Sequence, residues 1–164
     1  MASVVKANVM NPILVPSSII DQTLAKLQHV GRRRSECVVL WLGRREDDNI
    51  RVEELYVPIQ EASYDYFHIP ENSMERLFQK IRPQRLMIAA QVHTHPRSAF
   101  HSYADDTWAI IRHAGALSLV IPYFAQRTHQ KTFVSHTSVF ALSSQNVWCK
   151  VPKKQITEYY RIIP

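Results

Sequence analysis

The stretch His93-Thr94-His95-Pro96 stands at the end of an apolar run and contains two histidines separated by one residue. Side chains alternate along a β-strand, so residues i and i+2 project from the same face. If the run before His93 is a strand, both imidazoles can bind one ion without distortion of the backbone. Imidazole nitrogens are common ligands of zinc. The sequence therefore indicates a candidate metal site at this strand end.

A second polar cluster follows after a short loop. Ser102, Asp105 and Asp106 stand at the start of a segment with helical spacing, residues 102–113. A carboxylate in the first helical turn would supply a third ligand, and two histidines with one carboxylate leave a position open for water, as catalytic zinc sites do. Asp106 is a rival ligand, but it would point about 100° around the helix from Asp105.

Each of these motifs also has a purely structural interpretation. Two histidines at a strand end can be solvated surface residues. Ser-x-x-Asp before an apolar helix is an N-capping pattern, in which Ser102 caps the helix and Asp105 stands three residues later. The capping and ligand roles of Asp105 are compatible. Because the two motifs fall on a strand end and a helix start that converge, we favour the metal site.

Together these motifs resemble the signature of the JAMM (MPN-plus) zinc metallopeptidases, which also requires a glutamate in an upstream apolar strand. Glu36 occupies that place in Ser35-Glu36-Cys37-Val38-Val39-Leu40-Trp41-Leu42-Gly43-Arg44. The segment Val52-Glu53-Glu54-Leu55-Tyr56-Val57-Pro58 is similar to the family as well. The resemblance covers about residues 17–125.

The resemblance implies one zinc ion bound by His93, His95 and Asp105, with Glu36 as the general base and Ser102 as the hydroxyl that supports the oxyanion. It also implies cleavage of peptide or isopeptide bonds after the C-terminus of a ubiquitin-like protein, in deconjugation or precursor processing. Two alternatives remain open. A peptidase acting on a sulfur-carrier protein needs the same residues, and a catalytically inactive scaffold or binding module would keep only the fold.

The chain departs from the family in two ways. Val38 and Val39 stand where the family commonly has glycine, which predicts a bulkier wall beside the site. Only 57 positions separate Glu36 from His93, so there is no room for the long insertions of eukaryotic deubiquitinases. In this compactness the chain resembles bacterial or archaeal members encoded beside ubiquitin-like conjugation genes, including those of antiphage operons.

Composition narrows the class of protein. A length of 164 residues predicts a single domain over residues 1–164, and 46% hydrophobic residues argue against widespread disorder. The net charge of +6 suits an acidic partner or nucleic acid. No helix-turn-helix or aromatic RNA-binding motif is present, so nucleic acid is not the expected partner. No feature indicates a particular oligomeric state.

Segments that direct a chain into or across a membrane are not evident. No stretch reaches the ~18 apolar residues that a membrane span needs, and no apolar run follows Lys6 as a signal peptide would require. Cys37 and Cys149 do not form a CxxC pair. We therefore expect a cytoplasmic protein, without membrane contact, in which both thiols are reduced.

The elements that position the candidate site predict an α/β fold, with a central mixed β-sheet flanked by about three helices. The resemblance implies the cytidine-deaminase-like architecture of JAB/MPN domains. Apolar runs and alternation predict strands at 36–43, 50–57, 64–69, 86–95 and 117–123, with strand-like segments at 1–16 and after 133. Helices are predicted from a Ser17 or Ser18 cap to Gly31, from Pro70 to Pro83, and over 102–113.

Overall fold

A mixed β-sheet of eight strands forms the centre of the protein, whose computed structural model describes residues 12–100 and 110–164. The strands of the chain are β1 (Ile13–Pro16), β2 (Val38–Glu46), β3 (Asn49–Tyr56), β4 (Glu61–Ala62), β5 (Phe67–His68), β6 (Met87–Thr94), β7 (Leu117–Ile121), β8 (Ser138–Leu142), β9 (Trp148–Lys150) and β10 (Tyr160–Ile163). The order in the large sheet is β10-β1-β3-β2-β6-β7-β8-β9, while β4 and β5 form a small hairpin. The predicted α/β class with a central mixed sheet is confirmed.

Helices cover both faces of this sheet. The helices of the described residues are α1 (Ser17–Gly31), α2 (Glu71–Gln84), α3 (Phe133–His136) and α4 (Ile156–Tyr159). Helix α1 packs into the core on one face and α2 into the core on the other. Most of the predicted helix 102–113 lies outside the described residues, and its last part, residues 110–113, is not helical. None of the helices in the described part of the chain is long and apolar enough to cross a membrane.

Strand β2 is buried on both of its faces, as central strands flanked by helices are. Its odd-numbered residues, Val39 and Trp41, pack in the core on the α1 side. Its even-numbered residues, Val38, Leu40 and Leu42, pack in the core on the α2 side. This alternation explains why the sequence of β2 is a continuous apolar run, and it decides which neighbours can share a face with Glu36.

The start of α1 differs from the prediction. Pro16, and not a serine, precedes the helix, and no side chain caps its first turn. Ser17 is already helical, because Pro16 ends β1 and the chain turns directly into the helix without an intervening cap residue. The predicted serine cap is therefore wrong.

Gly31 ends α1, but for a different reason from the one predicted. The residue that follows it, Arg32, keeps right-handed helical geometry, so the glycine is not a left-handed terminator. A Cβ atom on Gly31 would instead lie 2.5 Å from the carbonyl oxygen of Phe124. The backbone of a distant segment thus packs directly against the helix end, and only glycine leaves room for it.

We expect Gly31→Ala to destabilise the protein. The added methyl group would also lie 2.6 Å from Cβ of Phe124, so the backbone must shift. Overpacking of this kind costs about 1–3 kcal/mol, more than the ~1 kcal/mol that alanine gains over glycine as a helix former. Urea unfolding should therefore show a net loss of up to about 2 kcal/mol. Gln22→Ala, exposed on the same helix, is the control, and equal stability of both variants would contradict the packing argument.

The other boundaries show smaller differences. Helix α2 begins at Glu71, one residue later than predicted, because Pro70 is its N-cap. It includes Pro83 and ends at Gln84, with Arg85 in left-handed geometry at φ 54°. A proline so close to the helix end sacrifices few hydrogen bonds. Residues 133–136 form the short helix α3, so the strand-like interpretation of the chain is correct only from Ser138 onward.

Candidate functional site

Glu36 lies two residues before β2 and is almost completely buried, with 4% of its surface exposed. Its backbone N–H donates a hydrogen bond of 2.7 Å to the carbonyl oxygen of Ser63, in the turn between β4 and β5. Glutamate is rarely buried unless it is paired or binds a metal. The position of Glu36 is therefore fixed by the backbone, and its burial suggests a specific use for the carboxylate.

His93 and His95 lie at the end of β6 and are also buried, with 0% and 3% of their surfaces exposed. The two ring centroids are 5.2 Å apart, and the ring planes are inclined by 50°. Both residues project from the α2 side of the sheet, because they alternate with Val92, which belongs to the α1-side core. Two imidazoles therefore stand side by side in a sheltered position.

The pairing of β2 with β6 brings Glu36 to the two histidines. Val38 is the partner of His93 in this antiparallel pair. One step further, the N–H of Thr94 donates to the carbonyl oxygen of Cys37, and the N–H of Cys37 donates to Oγ1 of Thr94, both at 3.2 Å. Another step places Glu36 opposite His95. Directly opposed residues have Cβ atoms about 4.5–5.5 Å apart, so Glu36, His93 and His95 share one face at one end of the sheet.

Both backbone polar groups of His95 form hydrogen bonds with residues at the end of β7 or after it. Its N–H donates to the carbonyl oxygen of Ile121 at 3.0 Å, and its carbonyl oxygen accepts the N–H of Phe124 at 2.8 Å. Two residues later, the carbonyl oxygen of Arg97 accepts the N–H of Tyr123 at 3.0 Å. The turn that follows His95 is therefore fixed to the segment that follows β7.

That segment has an unusual backbone. Tyr123, Phe124 and Ala125 have φ angles of 54°, 51° and 60°, which is left-handed geometry in three successive residues other than glycine. Each such residue costs roughly 1–2 kcal/mol. Strained backbone of this kind persists only where surrounding contacts hold it, and it is frequent near functional sites. Here the hydrogen bonds to His95 and Arg97 hold the strained turn and position His95 in return.

Near Glu36, the side chain of Gln60 forms the backbone hydrogen bonds that a neighbouring strand would otherwise form. Strand β3 ends at Tyr56, opposite Leu40, and leaves the edge of Val38 without a backbone partner. The side-chain amide of Gln60 accepts the N–H of Val38 at 2.8 Å and donates to its carbonyl oxygen at 3.0 Å. An amide side chain has the donor and acceptor of a peptide group, so it can continue the ladder. No pattern in the sequence indicated this role.

Gln91 connects neighbouring parts of the site by hydrogen bonds, a role that was not predicted from the sequence. It is buried on the same face as His93, two residues earlier in β6. Its Nε2 donates to Oγ of Ser118 at 3.0 Å, and its Oε1 accepts the N–H of Ile110 at 3.1 Å. This side chain therefore connects β6, β7 and the first described residue after position 109. The signal in the sequence was a single polar residue within the apolar run of β6.

Aromatic rings line the two imidazoles. The ring of buried Phe67 is 5.2 Å from His93, and the ring of Phe100 is 4.7 Å from His95. Val38 adds an apolar wall on this face, as predicted. Val39 packs instead in the core on the α1 side, so the prediction that it narrows the site is wrong. Alternation along β2 is the physical reason, since only one of two successive residues can face the site.

Cys37 is excluded as a nucleophile. It faces the core on the α1 side, opposite to Glu36, and burial raises the pKa of its thiol to about 11. At neutral pH the group is therefore a protonated, inert thiol. Cys149 is the exposed free cysteine, on β9 at the far edge of the sheet.

The remaining predicted site residues, Ser102 and Asp105, lie outside the described residues, as does the rival ligand Asp106. Within residues 12–100 and 110–164, no group of three or more His, Cys, Asp or Glu side chains is arranged to hold a metal ion. The two imidazoles on β6 fit part of a zinc site, since zinc accepts nitrogen ligands and catalytic sites combine histidines with a carboxylate. The predicted third ligand, Asp105, stays a prediction.

Comparison with known proteins finds a relative that is named as a metalloprotease. The chain is 28% identical over 154 residues to a protein of Sinorhizobium fredii (strain NBRC 101917 / NGR234) with the name "Probable metalloprotease y4jG". The similarity extends over 92% of this chain and 93% of that protein. No protein-family model matches the chain.

Two solved bacterial structures share the fold. Protein DSY2949 of Desulfitobacterium hafniense superimposes with a TM-score of 0.62 at 18% sequence identity, covering 85% of this chain and 89% of that one. A protein of Salinibacter ruber (strain DSM 13855) superimposes with a TM-score of 0.53 at 16% identity, covering 84% and 88%. The chain is thus similar in fold to these two proteins and, over nearly its whole length, similar in sequence to a protein named as a metalloprotease.

Proposed function

We propose that this protein is a zinc-dependent peptidase of the JAMM (MPN-plus) type. The observation that carries the proposal is the burial of Glu36, His93 and His95 together on one face, at one end of the sheet. A buried carboxylate grouped with two buried imidazoles is a combination typical of metal and catalytic sites. The similarity to a protein named as a metalloprotease supports the same class of activity.

In this proposal His93, His95 and Asp105 hold the zinc ion. When bound, zinc would polarise the scissile carbonyl and lower the pKa of its water towards ~7. Glu36 takes a proton from the attacking water and returns it to the departing amine. Ser102 donates a hydrogen bond to the oxyanion that develops in the transition state.

The described surroundings suit this chemistry. Phe67 and Val38 exclude water from one side of the imidazoles, and electrostatic interactions strengthen where water is excluded. The amide of Gln60 and the backbone of Ser63 fix the chain on either side of Glu36. A general base held in this way needs little reorganisation during the reaction.

We further propose that the substrate is the C-terminal tail of a ubiquitin-like protein, cleaved from an amine or from a following peptide. Val38 lies opposite His93 on the site's own face, so only a small residue, such as glycine, should fit beside the scissile bond. Free short peptides should be poor substrates, because they lack the folded body whose binding energy orients the tail.

Fusion proteins test this proposal. A ubiquitin-like protein encoded near this protein's gene is joined through its C-terminal glycine to a reporter, and a matched fusion carries leucine in place of that glycine. We expect cleavage directly after the glycine, located by mass spectrometry. The leucine fusion should react at least about 10–200 times more slowly, since a misfit of one methylene group alone usually has an effect of this size.

Three results would contradict the proposal. Equal cleavage of the fusions and of unrelated peptides would indicate a general zinc peptidase with no preference for the tail of a ubiquitin-like protein. Absence of cleavage of any substrate by protein that contains zinc would favour the inactive scaffold. Release of an amino acid from a sulfur-carrier protein, with no cleavage of the fusions, would replace the proposed substrate by the alternative one.

A further inference from the structure

A basic surface next to the candidate site consists of two arginines and two partly exposed tyrosines, with one buried phenylalanine among them. We call this surface the arginine–aromatic rim; its members are Arg34, Tyr64, Tyr123, Phe124 and Arg127. The guanidinium carbon of Arg34 lies 5.4 Å from the ring centroid of Tyr64, and that of Arg127 lies 4.1 Å from the ring centroid of Tyr123. The rings of Tyr64 and Phe124 are in T-shaped contact at a centroid distance of 5.6 Å, which joins the two parts.

The rim is attached to the backbone of the site at two points. Ser63, which accepts the N–H of Glu36, directly precedes Tyr64. Phe124 donates its N–H to the carbonyl oxygen of His95, and its neighbour Tyr123 donates to Arg97. The rim therefore borders the end of the sheet at which Glu36 and His95 stand.

The charge of the rim is not neutralised within the described part of the chain. The ion pairs there join Arg44 to Glu53, Lys80 to Glu54 and His68 to Glu61, so no rim arginine lies within 4.0 Å of a carboxylate oxygen. Arg32, Arg33 and Arg97 add exposed positive charge in the segments next to the rim, whereas Asp65 is the acidic residue in the adjoining turn. The surface is thus strongly basic.

The stacking of the arginines prepares them to bind an anion. A guanidinium that lies over an aromatic ring loses part of its conformational freedom in advance, while its edge keeps N–H donors that match a carboxylate. Tyr64 and Tyr123 are 38% and 40% exposed, so the rings under the guanidinium groups are accessible from solvent. The left-handed turn 123–125 provides a rigid base for one of the two pairs.

We propose that the arginine–aromatic rim binds an acidic segment of the protein substrate, next to the residues that enter the site. This inference rests on the proposed peptidase function and specifies the chemistry of its partner. An acidic polypeptide fits better than nucleic acid, because binding of single strands depends on bases that stack on open aromatic faces. Here an arginine lies over one face of each tyrosine, and the ring of Phe124 is in T-shaped contact with that of Tyr64.

Binding of labelled peptides tests the inference without requiring cleavage. A fluorescein-labelled peptide with several glutamates before a C-terminal Gly-Gly is compared with a matched peptide that carries glutamine at each of those positions. Fluorescence anisotropy with the full chain should show at least about tenfold tighter binding of the acidic peptide. The double variant Arg34→Gln/Arg127→Gln should lose this preference, since each exposed ion pair is worth up to about a fivefold change in affinity.

A matched variant separates the rim from net charge. Arg51→Gln/Arg161→Gln removes the same charge from exposed positions on β3 and β10, and it should keep the preference for the acidic peptide. The single variants Arg127→Gln and Arg34→Lys are measured as well, so that the inference can still be tested if the double variant misfolds. Arg34→Lys keeps the charge but removes the planar fork, and it should weaken binding of the acidic peptide.

The outcomes separate this inference from the proposed function. Equal binding of both peptides, or equal loss in the rim and control variants, would overturn the role of the rim even if the enzyme cleaves its substrate. Tighter binding of a single-stranded oligonucleotide than of the acidic peptide, lost in the rim variant, would overturn it in favour of nucleic acid. Retained acidic preference without cleavage of any fusion would support the rim while contradicting the proposed peptidase.

Discussion

The His95→Ala variant is expected to fold, to contain no stoichiometric zinc and to have lost its peptidase activity. His95 contributes one of two imidazoles that stand 5.2 Å apart on β6, and a site with one histidine fewer cannot hold the ion firmly. Loss of zinc removes several kcal/mol of transition-state stabilisation, so kcat/KM should fall by a factor on the order of 10³ or more. Elemental analysis measures the zinc content, circular dichroism shows whether the variant is folded, and steady-state kinetics give kcat/KM.

The fold should survive this change because two apolar cores, on either face of an eight-stranded sheet, stabilise it. His29→Ala, exposed on α1, is the control and should keep both zinc and activity. Full zinc content in His95→Ala would remove His95 from the proposed ligand set.

The third proposed ligand is tested by the same measurement. Asp105→Ala should lose zinc, whereas Asp106→Ala should keep it, because the two side chains would point about 100° apart on a helix. The reverse result would move the proposed ligand by one position.

The Glu36→Gln variant should keep its zinc and lose activity through kcat. The amide has nearly the shape of the carboxylate, and the hydrogen bond from the backbone N–H of Glu36 to Ser63 does not depend on the side chain. Glutamine cannot accept a proton from water, and a positioned general base contributes typically 10²–10⁴-fold. We therefore expect kcat to fall by a factor on the order of 10² to 10⁴ with little change in KM.

Glu61→Gln is a suitable control, since Glu61 is an exposed carboxylate on the nearby strand β4. It should leave zinc content and kcat unchanged. Simultaneous loss of zinc and activity in Glu36→Gln would identify Glu36 as a ligand. Unchanged activity would exclude it as the base.

Local pattern was sufficient to predict the elements that carry the described part of the candidate site. The apolar runs of β2 and β6 are long, and alternation alone places His93 and His95 on one face and Cys37 on the face opposite to Glu36. Helices α1 and α2 have clear apolar stripes, so their extents were predicted to within one or two residues. Ser102 and Asp105 stay predictions, because they lie outside the described residues.

Features that depend on distant neighbours were not predictable. The side chain of Gln60 can form hydrogen bonds with the backbone of Val38 only because β3 ends before it lies beside Val38. The left-handed turn at Tyr123–Ala125 contradicts local preference and persists because His95 and Arg97 accept its hydrogen bonds. Strand β10 has four residues and depends on β1, far away in sequence. In each case tertiary contacts override the information in the neighbouring residues.

The pairing of β1 with β10 affects the order in which the protein folds. Ile13 and Tyr160 are partners although 147 positions separate them, whereas the strands around Glu36 and His95 pair within residues 38–121. Contacts between distant residues slow folding, and a ribosome adds about 5–20 residues per second. After His95 has been synthesised, about 3–13 s therefore pass before Tyr160 can pack against Trp41 and Phe133. During this interval one edge of β1 is open on the nascent chain, where an unpaired strand edge invites aggregation.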